Sequence, residues 1–525
     1  MKKNKVCILA AGRGTRLGDY TQVLNKAMLP LGGKAIISHI FSNFSPQHEF
    51  VVALGYKGEA LKNYIELAHP DLNVTFVNVE NFDGAGSGPG TSLLSCKEAL
   101  GTDPFYFVTC DTYWTTHVSE FPSDKSWVGV SMIEKSKTHH YCLIDTDSSG
   151  AVTDLRLKTA SEEPMKEVFT GLAFVIDTEI FWNALSAAKL HLGEKQVTEA
   201  FQELARQKKL FSVNSDWVDL GLIENYRNEL KKYGQYDFSK VKEAFYSINS
   251  KVIKYFDNDQ DSSQRVARAK MNPEVFPEVI GHRKNMYSYG YCPGSTLYDD
   301  DRPEVFAKLL NWLDTHLWIP VKIEKSEVAK ICDIFYREKT IGRINQFKLK
   351  YPGYEITKIN DEKIPSIDEL LKNMDWQIFQ DGVPCFIHGD LQPDNIIYDT
   401  ASDRFVLLDW RQNFGGQIAF GDLYYDFAKL WGGLHLSYKE IKKNEFNYKE
   451  EADSCYYQYS KHPHFDELSQ RLEAFAKRKD LSVGKIRLLV GIIYLNMSPL
   501  HHYPFDKMLF ALGRKVLYEA QKNIS

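Results

Sequence analysis

Through the first half of the chain, short apolar runs alternate with amphipathic stretches of helical period, and this alternation restricts the fold to a few architectures. Val6–Ala10, Phe50–Leu54, Val74–Val79, Phe105–Thr109 and Trp127–Met132 read as strands. Ile36–Ser42, Lys57–Leu67 and Thr91–Leu100 read as helices between them. Alternating β and α elements predict an α/β domain: a mostly parallel sheet with helices on both faces, its phosphate ligands held beyond the carboxyl ends of the strands.

The second half has a different order. The charged, helix-forming stretch Asn225–Lys242, interrupted by Gly234 and Asp237, reads as a linker. Beyond it come a charged-edged strand at Lys251–Phe256, a Tyr- and Gly-rich segment at Tyr287–Tyr298, helical stretches, a β-hairpin pattern over Pro384–Trp410, and a mainly helical remainder from Asp422. This predicts a small mixed lobe followed by a larger helical one. At 525 residues the chain is too long for one ordinary core. We expect two domains, residues 1–232 and 240–525.

Composition excludes several classes. With 64 basic and 69 acidic residues, formal net charge is −5, so no global attraction to nucleic acid is expected. The eight cysteines are scattered without a C-x-x-C pair, which fits a reducing, cytoplasmic setting better than a disulfide framework or structural zinc. The apolar start stops at a Gly/Arg loop and reads as a first strand rather than a signal peptide. No run of 18 apolar residues occurs in the sequence, and no membrane insertion is expected. Oligomerisation is compatible with either half.

Cys7–Leu17 reads C-I-L-A-A-G-R-G-T-R-L. Glycines at 12, 14 and 18 let backbone N–H groups approach a triphosphate, and the positive end of a following helix would favour the anion. Arg13 and Arg16 add guanidinium charge, and Lys26, in N-K-A-M-L-P, is spaced to meet another phosphate. Over about residues 1–230 the chain resembles the sugar-phosphate nucleotidyltransferase superfamily, whose pattern is G-x-G-T-R-x…P-K. The resemblance implies a Rossmann-like fold and a nucleotide loop through Ala11, Gly12, Gly14 and Thr15. It also implies a base-reading segment G-P-G-T-S at Gly88–Ser92, with Gly90 and Thr91, and a substrate-side strand F-T-G-L-A with Gly171. Arg16 and Lys26 would be catalytic. Asp111 in F-V-T-C-D-T-Y-W and Asp219 in W-V-D-L-G-L-I-E-N-Y would hold Mg²⁺. The chain departs from the family at Asn25, where a proline is usual, and at Leu157-Lys158, where Glu-Lys is usual. Lys158 would still contact the substrate phosphate.

Phe386–Ile397 reads F-I-H-G-D-L-Q-P-D-N-I-I, and Leu407–Arg411 reads L-L-D-W-R. The turn Asp399–Asp403 folds Asp409 back beside Asn395, so Asp390, Asn395 and Asp409 converge as oxygen ligands or bases, which is what a Mg²⁺-nucleotide site requires. This stretch resembles the aminoglycoside phosphotransferase and choline kinase superfamily, a protein-kinase-like α+β fold of two lobes. The resemblance implies that Asp390 orients or deprotonates an acceptor hydroxyl, that Asn395 and Asp409 hold Mg²⁺, and that Lys254 pairs with ATP phosphates. A hinge near Tyr289–Gly294 would receive adenine. Asp426 matches a structural aspartate, and His388 reads as a scaffold of the loop. The chain lacks a clear glycine-rich loop before Lys254, and the helix S-S-Q-R-V-A-R-A lacks the usual glutamate partner.

Together the two signatures imply a bifunctional transferase. ATP phosphorylates a small acceptor, either a sugar or polyol or else choline or ethanolamine. A second NTP (CTP, UTP, GTP or dTTP) then yields an NDP-activated building block for a capsule, lipopolysaccharide or other surface glycan or lipid. The aromatic residues of the second half, Trp410 and Trp431 among them, can stack on sugars or cage a quaternary ammonium, and most read as packing residues. In the alternative, only the first half is catalytic and the second is a binding or regulatory module.

Overall fold

The computed structural model describes residues 4–157, 159–233, 243–461 and 463–523. The chain folds into two compact units, one running to Asp257 and the other from Asn258.

The first unit is built on a nine-stranded sheet. Its strands are β1 (Lys5–Ala10), β2 (Glu49–Leu54), β3 (Asn73–Asn78), β4 (Phe105–Thr109), β5 (Ser126–Glu134), β6 (Cys142–Thr146), β7 (Val152–Leu157), β8 (Met165–Val175) and β9 (Leu210–Asn214). β4, β1, β2 and β3 lie side by side and parallel, with Cys7 opposite both Val51 and Phe107. β4, β1 and β2 are covered on both faces, which is why they read as continuous apolar runs, while β3 is a more exposed edge strand. Beyond β4 most pairings turn antiparallel: β8 pairs with β4, β5 and β6, and β6 with β7, while β9 pairs parallel with β5. The expectation of a mostly parallel sheet is therefore corrected to a mixed α/β sheet. Short strand-to-strand connections in the second half of this unit, such as the turn from β6 to β7 at Asp147–Gly150, reverse the chain and cannot make parallel crossovers. Leu9, Val51, Leu93, Phe107, Phe181 and Phe201 share one buried cluster on a face of this sheet.

Two other expectations change here. Ile223–Lys232 is a helix rather than linker: Tyr226, Glu229 and Leu230 are buried, and the Tyr226 hydroxyl donates to Pro30 O at 2.7 Å. The rest of the expected linker lies outside the described residues, apart from Tyr233. The antiparallel strands Glu243–Ile248 and Lys251–Phe256 belong to the first unit. Tyr246 and Tyr255 donate their hydroxyls to Met28 O and Val23 O, each at 2.7 Å, and the Ser247 amide donates to Gly33 O.

The second unit holds the helix Asp259–Met271, the hairpin Val279–Arg283/Met286–Gly290, the hairpin Ile396–Asp399/Arg404–Leu407, and a helical body. That body includes Leu423–His435, Phe465–Arg478, Val483–Met497 and Phe505–Lys522. The stretch after Asp422 is less uniformly helical than its sequence reads, because Phe446–Glu451 and Ser454–Tyr459 form another antiparallel pair. The stretch Val483–Leu500 has the length and mean hydropathy (1.3) of a membrane span. Its residues Leu488, Leu489, Val490, Ile492 and Leu495 are buried within the unit, so its apolar character is accounted for by core packing.

Candidate active sites

In the first unit, the chain leaving β1 forms one wall of a cleft of about 650 Å³. Ala11, Gly12, Gly14, Thr15, Arg16, Lys26, Asp111, Gly171 and Asp219 all line it. Gly90 and Thr91 do not; their neighbours Ser87, Gly88, Pro89 and Ser92 do. The Thr91 hydroxyl instead ties the loop by donating to Gly86 O at 2.7 Å. Lys158 lies outside the described residues. The expected helix after the glycine loop is replaced by short 3₁₀ turns over Thr15–Thr21, broken at Gly18, whose φ of 58° and ψ of −128° suit glycine. Gly171 is equally constrained. A Cβ there would come within 2.3 Å of Thr109 Oγ1 and 2.7 Å of Thr112 Oγ1.

Asn25, which departs from the family pattern, is fully buried. Its amide nitrogen donates to Ala10 O at 2.8 Å and Tyr56 O at 2.7 Å, and its oxygen accepts from the Ala27 amide at 2.8 Å. One side chain thus joins the end of β1, the segment after β2 and the turn that carries Lys26. Lys26 Nζ reaches Asp111 Oδ2 at 2.9 Å. Burial alone would lower the lysine pKa, but the Asp111 charge outweighs it and the net direction is up. Burial likewise works against ionisation of Asp111, but Lys26 foremost, with Arg16, holds it at about 2.

Asp219 sits on the other side of the same gap. It accepts from the Tyr141 hydroxyl and the Gly221 amide, each at 2.8 Å. A Cβ at Gly221 would lie 2.8 Å from Asp111 Oδ2, 2.9 Å from Asp219 Oδ1 and 3.2 Å from Arg16 Nη2, so the two carboxylates and the guanidinium surround one small volume. Burial, then the neighbouring Asp111, raises the Asp219 pKa. Two carboxylates that repel each other across a narrow gap are a donor set suited to a hard divalent cation, whose charge would relieve the repulsion. Tyr141 was not signalled by the sequence; a tyrosine after two histidines carries no recognisable pattern.

In the second unit, the loop His388–Asn395 is held from beneath by Asp426. This buried carboxylate accepts from the His388 and Gly389 amides, both at 2.7 Å, and from Trp318 Nε1 at 3.2 Å. Burial raises its pKa to about 6. His388 accepts at Nδ1 from the Asp390 amide at 3.1 Å, while Nε2 lies 2.8 Å from Leu408 O, so the neutral ring protonated on Nε2 satisfies both contacts. Burial pushes its pKa down to about 4. His388 is therefore a scaffold, as its sequence context implies.

Asn395 Nδ2 donates to Asp390 O at 2.9 Å, and the Leu408 amide donates to Asn395 O at 2.8 Å, so the hairpin brings Asp390, Asn395 and the strand leading to Asp409 together. Asp409 has a φ of 58°, a left-handed conformation that aspartate tolerates better than most residues. The remaining side-chain oxygens of Asn395 and Asp409 are of the right chemistry for a divalent cation. Lys429, missed in the sequence, meets Asp390 at 2.6 Å with a side chain only 5% exposed. Its position three residues after Asp426, on the same helical face, was the available signal. Lys254 lies in the strand Lys251–Phe256 of the first unit, its ammonium 4.7 Å from the Phe245 ring centroid.

Residues 6–163 match the family model of the MobA-like NTP transferase domain, and residues 346–463 match that of the phosphotransferase enzyme family. The chain joins a MobA-like NTP transferase domain to a phosphotransferase-family domain. The bifunctional protein GlmU of Methanocaldococcus jannaschii is 24% identical over 217 residues, covering 41% of this chain and 50% of that protein. The UTP–glucose-1-phosphate uridylyltransferase AglF of Haloferax volcanii is 23% identical over 248 residues, 45% of this chain and 98% of the relative. The glucose-1-phosphate cytidylyltransferase of Salmonella typhimurium is 40% identical over 80 residues, 15% of this chain and 31% of the relative. The chain spans about half the length of the GlmU relatives it matches. Among solved structures, a UDP-glucose pyrophosphorylase complexed with UDP-glucose is similar at a TM-score of 0.38 and 20% identity, covering 44% of this chain and 98% of that one.

Proposed function

We propose that the chain is a bifunctional enzyme of the cytoplasm. Its second unit transfers phosphate from ATP to a hydroxyl of a small metabolite, and its first unit joins the resulting phosphate to a nucleotide with release of pyrophosphate. The product would be an NDP-activated precursor for a surface glycan or lipid. The observation that carries the reading is the convergence of Arg16, Lys26, Asp111 and Asp219 around one cleft. Support for the sugar-phosphate class comes from relatives named as uridylyl- and cytidylyltransferases of glucose 1-phosphate.

At the first site, the attacking phosphate and the triphosphate are both anionic. Arg16 and Lys26 would reduce their repulsion and stabilise charge gathering at the α-phosphate as pyrophosphate departs. Asp111 and Asp219 would hold Mg²⁺, which supplies charge neutralisation at the triphosphate. No covalent intermediate is required. At the second site, Asp390 would accept the proton of the acceptor hydroxyl as its oxygen attacks the γ-phosphate, with Lys429 fixing the carboxylate. Asn395 and Asp409 would hold Mg²⁺.

Assays of each half-reaction test this assignment. Asp111→Ala should abolish NTP-dependent pyrophosphate release while sparing acceptor phosphorylation, and Asp390→Ala should do the reverse. Loss of neither activity in its own variant would remove the assignment.

A further inference from the structure

Beside Asp390 the second unit places Lys429 and Arg411, with Lys339 and Arg411 packed on the same Phe335 ring. We propose that the acceptor phosphorylated there is an anion: a hydroxylated metabolite whose carboxylate or phosphate group is received by Lys339, Arg343 and Arg411. The proposal rests on the phosphotransferase reading above and narrows its substrate class, against both choline and a neutral sugar.

Lys339 and Arg343 are one helical turn apart on Lys339–Lys350, where like charges repel. The Lys339 ammonium lies 3.9 Å from the Phe335 ring centroid, and the Arg411 guanidinium lies 5.3 Å from the same ring and 5.8 Å from that of Tyr425. Arg411 also donates from Nε to Gly389 O at 3.0 Å, which fixes it beside the loop that carries Asp390. Among the described residues, only Lys429 of these four cations pairs with a carboxylate, that of Asp390 itself. Lys339, Arg343 and Arg411 make no ion pair within 4.0 Å among the described residues. All three are partly accessible to solvent. Burial first, then Arg411, Lys429 and Arg343, hold the Lys339 ammonium below its usual pKa.

The direction of these side chains separates them from the nucleotide. Trp410 packs 5.6 Å from Tyr287 and 6.4 Å from Tyr289, rings of the small hairpin that leads into the expected adenine hinge. Arg411, the next residue, packs instead on Phe335 and Tyr425 of the helical body. The cations therefore lie on the helical side of Asp390, where an acceptor hydroxyl would arrive. A quaternary ammonium there would be repelled, a neutral polyol would leave the charges unanswered, and an anionic group would pair with guanidinium and ammonium donors.

The test uses the full chain with Mg²⁺-ATP and acceptors matched in carbon skeleton: glycerol, glycerate and glycerol phosphate, then neutral sugars beside their acids and phosphates, with choline and ethanolamine. We expect at least tenfold higher kcat/KM for anionic members, with the carboxylate and phosphate arms distinguishing which group is read. In the half-exposed variant Arg343→Gln, the acceptor KM should rise at least tenfold while the ATP KM stays within twofold. Preference for neutral or cationic acceptors would overturn the inference and leave the phosphotransferase reading standing, as would an Arg343→Gln effect confined to the ATP KM. No acceptor-dependent loss of ATP with any member would overturn both.

Discussion

Asn25 gives the sharpest stability prediction. Replacing it with alanine removes three hydrogen bonds of 2.7–2.8 Å at once and leaves Ala10 O, Tyr56 O and the Ala27 amide without their side-chain partner. The site is fully buried, so water does not readily replace them. At about 1 kcal/mol net for each bond, the loss is about 3 kcal/mol, and more if the freed groups stay dry. Proline should cost less than alanine. Asn25 already has a φ of −65°, the value a proline ring imposes, and a rigid residue recovers about 0.4–1 kcal/mol through the unfolded state. Hydrogen–deuterium exchange over residues 23–30 reads the effect locally. A loss of about 3 kcal/mol corresponds to about two decades of protection, with the proline variant between alanine and wild type. Protection unchanged within threefold in Asn25→Ala would refute the claim that this amide ties the lysine turn to the sheet.

Three more outcomes follow from the same geometry. Tyr141→Phe takes a donor from Asp219; nucleotidyl transfer should slow about tenfold or more, by the worth of a hydrogen bond to a charged group, and the acid limb of its pH–rate profile should move to higher pH. His388 contributes stability above its ordinary pKa of 6.5 that is lost as pH falls toward about 4, because the unfolded chain takes up the proton first. The unfolding penalty of His388→Gln should therefore shrink between those values, by about 3 kcal/mol, in denaturation series at matched pH. Lys429→Met should cut phosphotransfer by at least tenfold and leave nucleotidyl transfer unchanged, when the two activities are assayed side by side.

The central strands of the parallel half were legible because burial on both faces writes them as plain apolar runs, Val6–Ala10 and Phe50–Leu54 above all. The antiparallel half was harder to read. β8 and β5 alternate and bulge near Phe169–Ala173, so period and direction are set by pairing partners rather than by local pattern. The helix Ile223–Lys232 looked like a linker because its charged residues outnumber the few, Tyr226 and Leu230 among them, that anchor it. Among residues carried by contiguous motifs, Arg16, Lys26 and Asp111 line one cleft with Asp219, while Gly90 and Thr91 do not line it. Of the supporting residues, Tyr141 and Lys429 come from segments distant in sequence from the carboxylates they contact, while Asn25, next to Lys26, stands out in the sequence only as a departure from the family pattern. The role of Lys254 came from the family resemblance; its strand and the neighbouring Glu243–Ile248 pack into the first unit through Tyr255 and Tyr246.

The central claim is that one chain runs two consecutive transfers. Its most direct test incubates the purified protein with ATP, Mg²⁺, the remaining NTPs and a pool of hydroxylated metabolites, followed by mass spectrometry of the products. The account predicts a new NDP-linked metabolite that forms only when both Asp111 and Asp390 are intact, with the phosphorylated metabolite alone accumulating in Asp111→Ala. An NDP-linked product that still forms from the unphosphorylated metabolite in Asp390→Ala would contradict it.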